Sequence, residues 1–331
     1  MIKIKKEEIF LLIMGILFWA NFLFFYGKKI DFSTFLIKQS QAFSASMIWF
    51  IGFLAAFLFY FIFKMIAFAP QVLKNGMKSP KELFATKNYK TGENFSFWDY
   101  FRTIVLILFI FSLFMFALAG VTGAVKNRLL NQQFLDFEQK LFGEQPFLMF
   151  FNPKNPLTLL FRLFSGMIIW CFQSMSLFMG ISVFAFYLLF DRKDFFKYIF
   201  AIFISALIAL PLWYSFPVNS PNNFYLSKNP TPVGYNIGSN VLELQKEIRE
   251  EQKNSMPIST FPSMHTTWGI LMVYYLYKNY KKSIIVFGPW LFFMILGTFY
   301  LGQHYLVDIL MAFPIAILTI FLSEQVSKIT N

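Results

Sequence analysis

The 331-residue chain contains only two histidines, and each stands among residues that fit phosphoryl transfer. His265 follows Phe261-Pro262-Ser263-Met264, and His304 is followed four residues later by Asp308 in His304-Tyr305-Leu306-Val307-Asp308. Four residues is about one helical turn, so on a helix the Asp308 carboxylate lies on the face of His304 and can accept its imidazole proton. That pairing fixes which ring nitrogen is free to attack. An Asp one turn into an apolar helix is costly unless paired, and His304 is its nearest partner. Taken singly, either histidine is as well explained by a ring reaching from a helix end to the headgroup layer. It is the neighbours that favour chemistry.

Pro262 suits a first helical turn, with Ser259 or Thr260 as the cap. Ser263 and the unpaired N–H groups of that turn then point at a common spot suited to a phosphate. One imidazole oriented by a carboxylate, a second to protonate the departing oxygen, and N–H donors for the phosphoryl oxygens make a double-displacement site that needs no metal and no cofactor. Zinc is the alternative, since two histidines and one Asp supply three ligands. The His-to-Asp spacing on one helix resembles an oriented base more than a cage.

These residues need elements that bring them to one place. Of the chain, 57% is hydrophobic, 14% is charged, and 49 residues are Phe, more apolar surface than a soluble core of this size hides. Lipid must cover the excess. A crossing takes ~20 mostly apolar residues, which predicts about eight spans, near 9–26, 46–69, 101–120, 157–190, 195–215, 264–280, 283–301 and 304–323. The run 157–190 is long enough to predict a tilted span preceded by an interfacial turn around Arg162 and Phe164. His265 and His304 then each open a span, with one complete crossing between them, so both face the same side.

The formal net charge of +12 comes from short Lys and Arg clusters between apolar runs, with no basic helix or aromatic platform of the nucleic-acid-binding kind. Anionic lipid headgroups are the expected partners. Lys3, Lys5 and Lys6, the lysines between 74 and 90, Arg192, Lys193, Lys197, Lys278, Lys281, Lys282 and Lys328 fall on the side of the N-terminus. Their modest excess puts both termini in the cytoplasm and the histidines on the non-cytoplasmic face. The N-terminal apolar run has no small-residue cleavage site before Tyr26, so it is read as a retained span. Cys171 is the sole cysteine, which excludes a disulfide framework and a thiolate cluster.

Two polar connections lie on the histidine side. In 121–156, Leu130, Phe134, Phe137 and Leu141 recur at helical spacing and Gly143 and Pro146 close the run, predicting an amphipathic helix lying on the interface. In 216–262, a Pro-, Asn- and Ser-rich stretch leads to a short charged helix from about Val241 to Lys253, with Asn240 as its N-cap and a solvated surface. Gly120 and Gly123 are read as helix-packing positions.

Phe261-Pro262-Ser263-Met264-His265 and Tyr300-Leu301-Gly302-Gln303-His304-Tyr305-Leu306-Val307-Asp308 resemble the second and third signatures of the type 2 phosphatidic acid phosphatase superfamily. The resemblance implies His304 as the nucleophile forming a phosphohistidine, Asp308 as its orienter, His265 as the general acid and Ser263 as a phosphate ligand. The segment Asp136 to Pro146 and the loop Pro217 to Pro221 resemble less specific features of the inositol phosphorylceramide synthase branch. Two family cations are missing. Thr298 stands where the third signature has an Arg six residues before its His, and the first signature, a Lys followed six residues later by Arg-Pro, is absent. Lys126 and Arg128, just after the third span and on the histidine side, are the expected replacements, against the alternative that they touch only lipid headgroups.

The expectation is an all-α polytopic bundle, with residues 1–98 an added pair of spans and cytoplasmic loop and residues 99–331 a six-helix catalytic domain. The expected function is phosphoryl-headgroup transfer between lipids or to a hydroxyl acceptor. A lipid phosphatase acting on phosphatidate or a polyprenyl diphosphate is the alternative enzyme. A non-catalytic transporter or scaffold is the alternative of another class, and it leaves unexplained why both histidines sit in signature positions.

Overall fold

The computed structural model describes residues 5–26, 86–87, 94–95, 97–125, 127–152, 154–155, 158–225, 241, 243, 245–247 and 260–330. The expected span at 46–69 and the site candidate Lys126 lie outside the described residues, as do Ser259 and the proposed cap Asn240. The described chain is a helical bundle: α1 (Lys6–Tyr26), α2 (Phe97–Val125), α3 (Asn131–Phe142), α4 (Pro146–Met149), α5 (Thr158–Leu189), α6 (Arg192–Ser215), α7 (Pro221–Phe224), α8 (Met264–Asn279), α9 (Ile284–Tyr300) and α10 (Leu306–Thr330). The one addition to an all-α reading is a two-residue antiparallel ladder, Thr86–Lys87 with Asn94–Phe95.

Six described helices are long and apolar enough to cross a membrane: Lys6–Phe25, Asp99–Val125, Thr158–Leu189, Arg192–Ser215, Lys281–Tyr300 and Leu306–Ile329. Six is fewer than the eight expected, for two reasons. The second expected span is outside the described residues, and α8 has only 16 residues, a rise of about 24 Å against a hydrocarbon core of about 30 Å. Ser263 caps α8 at one end, and a 3₁₀ turn, Lys281–Ser283, follows it at the other. The interfacial turn expected before the fourth span is absent, because α5 runs unbroken through Arg162 and Phe164.

The bundle is held by apolar packing and by polar pairs between helices that have no water to turn to. Trp290 Nε1 donates to Ser174 Oγ at 2.9 Å and Trp268 Nε1 to Ser205 Oγ at 3.0 Å, while Tyr275 and Ser323 hydroxyls meet at 2.7 Å. α1 lies along α2, α6 along α10 and α5 along α9, with α8 packed among α6, α9 and α10. Gly120 fits the packing role, its face turned to Phe22 and Phe25 of α1. Gly297 brings α9 so near α5 that a Cβ there would lie 2.7 Å from Phe172 Cβ and 2.9 Å from the Ile168 carbonyl.

Helix α3 exists as expected, ending at Gly143 in the left-handed region with φ 78°. Its apolar stripe is divided, with Leu130 and Phe134 packed against the buried cluster. Phe137 and Leu141 face outward, whereas Asn131, Leu135 and Glu138 are buried against the protein. At a membrane surface the outside is also apolar, so the hydrophobic stripe marks the lipid side of a helix as readily as its protein side. Of the charged connecting helix, residues 241, 243 and 245–247 are helical, with Val241 and Gln245 buried and the Gln245 carbonyl accepting from Asn222 Nδ2 at 3.0 Å.

Candidate active site

The cap of α8 is Ser263, in place of the expected Ser259 or Thr260. Its Oγ accepts from the Thr266 amide at 3.3 Å, and its carbonyl accepts from the Thr267 amide at 3.1 Å and the Thr267 hydroxyl at 2.9 Å. Thr260 instead donates to the Val218 carbonyl at 3.3 Å. Pro262 therefore precedes the cap and is not in the first turn. The Ser263 hydroxyl is fully buried and spent on the helix end, with Thr266 Oγ1 at 3.1 Å. The Met264 and His265 amides come before the first intrahelical bond of α8 and remain the donors of that end.

His304 sits two residues before α10, in a turn rather than in the helix. The turn is shaped by Gly302 at φ 65° and by the Thr298 carbonyl, which accepts from the amides of Gln303 (2.9 Å) and His304 (3.2 Å). Asp308 is the third residue of α10, and its Oδ2 reaches back to the Tyr305 amide at 3.0 Å and to His304 Nδ1 at 3.3 Å. One carboxylate oxygen thus closes the helix start in the manner of a capping box and holds the imidazole. The Ser263 amide donates to the Asp308 carbonyl at 3.1 Å, tying the two helix starts together.

The two imidazoles meet. His265 Nδ1 and His304 Nε2 are 3.2 Å apart, although 39 residues separate them in sequence. With Nδ1–H of His304 given to Asp308, its Nε2 carries the lone pair and His265 Nδ1–H is the donor. His304 is buried; His265 is accessible because it lines a cavity of about 240 Å³. That cavity runs from the two rings, Ser220 and Gln303 into a wall of Phe111, Phe114, Met175, Met179, Trp213 and Trp268, and is mostly apolar. Among the described residues no three His, Cys, Asp or Glu side chains converge to hold a metal ion.

A family model described as the PAP2 superfamily matches residues 132–322, more than half of the chain. The chain belongs to the PAP2 superfamily. No curated protein and no solved structure matches it. Both histidines and Asp308 of this PAP2 chain lie inside the matched segment, and so does α3 but for its first residue. Its sequence-predicted site residues divide into two groups. His265, His304 and Asp308 form one connected chain, and Ser263 braces it from behind the helix end. Arg128 stands apart: its guanidinium donates to the Tyr214 carbonyl at 2.6 Å and lies over the Tyr214 ring at 3.9 Å. Thr298, at the position of the family's Arg, is fully buried with its hydroxyl on the Ile295 carbonyl at 2.7 Å.

Sequence reasoning missed one carboxyl group. Glu138 of α3 is fully buried, and its Oε1 accepts from the Val307 amide at 3.0 Å, in the first turn of α10 next to Asp308. Burial pushes its pKa from 4.5 up to about 7; the nearby Asp308 adds to the rise and the Val307 amide opposes it. The available signal was its position three residues after Leu135 and four after Phe134, which puts it on the face of α3 shared by those two.

Proposed function

We propose that this PAP2 protein is a lipid phosphoryl-transfer enzyme working through a phosphohistidine on His304. The observation that carries the reading is the line Asp308–His304–His265 opening into an apolar cavity, which joins phosphoryl chemistry to room for a hydrocarbon chain. The Nε2 lone pair of His304 attacks phosphorus, and the bond to the departing oxygen breaks as that oxygen takes the Nδ1 proton of His265. To give it up and end neutral, His265 must carry both ring protons, a state favoured when the negative phosphate arrives beside it. In the second half His265 takes a proton from the incoming hydroxyl, that oxygen attacks phosphorus, and His304 is released. The resting hydrogen bond between the rings has to open for substrate. The Met264 and His265 amides, held by the Ser263 cap, receive the phosphoryl oxygens.

Loss of the family's two cations favours transfer to a hydroxyl acceptor, as in the inositol phosphorylceramide synthase-like branch, over plain hydrolysis of phosphatidate or a polyprenyl diphosphate. In this reading residues 99–331 form the catalytic unit, residues 1–98 are an addition, and Lys126 or Arg128 supplies positive charge once Arg128 leaves Tyr214. The site faces the non-cytoplasmic side of the cell membrane. The test is incubation of purified protein with labelled lipid phosphates, with and without polyol acceptors, and identification of every phosphorus-containing product. Acceptor-dependent product, retained in a strong chelator and inhibited by vanadate, is expected. Water as the sole acceptor would assign the phosphatase reaction, and loss of activity in chelator restored by zinc or magnesium would overturn the metal-free mechanism. For sidedness, Asn254→Cys in a Cys171→Ala background is expected to react with an impermeant thiol reagent outside sealed cells. Labelling only after lysis would reverse the topology.

A further inference from the structure

Behind His304, three buried side chains each keep an oxygen without a hydrogen-bond partner among the described residues. Asp308 uses only Oδ2, and its Oδ1 is buried without a hydrogen-bond partner among the described residues. Glu138 uses only Oε1, on the Val307 amide, and its Oε2 is likewise buried and unpartnered. The Tyr305 hydroxyl is the third such atom. Two fully buried carboxyl groups meet at one helix start, Asp308 within it and Glu138 bonded to its Val307 amide from α3, and they cannot both stay charged without a large cost, since little solvent separates them. His304 needs Asp308 as the anion, so the proton belongs on Glu138.

Helix α10 begins at Leu306, leaving Tyr305, which has no side-chain oxygen placed to accept the early amides of that helix, at the position where Ser, Thr or Asp ordinarily stands. Glu138 supplies that acceptor from a different helix. We propose that Glu138 is a protonated positioning residue, whose Oε1 caps the catalytic helix at Val307 while its Oε2–H faces Asp308 and fixes that carboxylate, and through it the His304 ring. This rests on the reading of His304 as the nucleophile. The charged or titratable groups facing Glu138 are Asp308 and Tyr305, with His304 beyond Asp308. Burial keeps the Tyr305 hydroxyl neutral far above its ordinary range. On α3 itself Asp136 and Lys140 point outward, and the neighbouring α4, Pro-Phe-Leu-Met, brings no titratable group.

The sign of the pH effect follows from a folded pKa of about 7 against 4.5 unfolded. Between those values the folded state binds more protons, so stability falls as pH rises from about 4.5 to about 7 and is level above. Turnover falls through the same upper limit as a second negative charge forms beside Asp308. Glu138→Leu is expected to lower kcat by about 10–100-fold, the usual effect of removing an outer partner of a reacting group, with KM little changed. Glu138→Gln keeps a neutral donor and acceptor; it is expected within about threefold of wild type at pH 6, with the fall near pH 7 reduced to the part set by His265 and the stability slope flattened. A merely structural cap would leave the pH profile of the Gln variant unmoved, and that result overturns the proposal. Infrared spectroscopy gives a readout independent of turnover: a carboxylic-acid carbonyl band present at pH 6, lost on raising the pH past about 8 and missing from Glu138→Gln. Wild-type protein without a band titrating near pH 7 overturns the proposal even where both variants fail to fold. His304→Ala, tested separately, decides the nucleophile.

Discussion

At the N-terminal end of α8, His265 meets His304 and Asp308 beside a cavity, with three buried polar atoms of Asp308, Glu138 and Tyr305 left without partners among the described residues. At its C-terminal end, some 24 Å away by helical rise, the opposite rule holds. Lys278 pairs with Glu324, Glu324 also pairs with Lys197 at 3.0 Å, and Lys197 pairs with Asp194 at 3.2 Å. Elsewhere Arg102 donates to Glu8 at 2.7 Å and Arg192 to Glu7 at 3.1 Å, fastening α1 to α2 and α6. Stability in this bundle rests on the paired end, and the proposed chemistry rests on the under-paired one. Paired charges lock helix ends together, whereas under-paired groups behind an imidazole retain a protonation state that chemistry can use.

The largest effects on turnover are expected at the histidines. His304→Ala and His265→Ala are each expected to abolish turnover while the protein remains inserted and keeps its thermal transition. His304→Ala also loses the covalent intermediate, which acid-quench trapping of labelled enzyme would read. Near-normal turnover in His304→Ala would sink the mechanism. Asp308→Asn keeps the shape of the site but cannot hold the correct tautomer as firmly, so a loss of about 10²–10⁴-fold in kcat is expected from steady-state kinetics.

Arg128→Ala sharpens the boundary between the two kinds of region, because Arg128 is held on Tyr214, next to Trp213 of the cavity wall. If it swings to the phosphate, turnover drops about 10²-fold, the cost of losing a charge-stabilising donor. That drop is the expected result, and full turnover with a lowered melting temperature would assign Arg128 to the end of α6. Smallest in its effect on turnover is Glu324→Ala at the far end. It takes Lys278's carboxylate away and leaves Lys197 with Asp194 alone, and is expected to cost about 1–3 kcal/mol in denaturant titration, less than a fully buried pair, with kcat preserved.

Sequence alone determined the membrane class, the helical fold and the two signature segments, because apolar run length and residue spacing are local properties. The pairing of His304 with Asp308 was legible for the same reason, although the two groups meet across a helix start and not along a helix. Their junction with His265 was legible only as a shared side of the membrane; the 3.2 Å contact depends on Gly297 and Gly302 and on the bond from the Ser263 amide to Asp308. Which face of α3 turns inward was decided by tertiary structure, since lipid and protein core attract the same apolar stripe. That choice buried Glu138 beside Asp308. A carboxyl's protonation depends on what is packed around it, and 169 residues of chain separate Glu138 from the Val307 amide it caps.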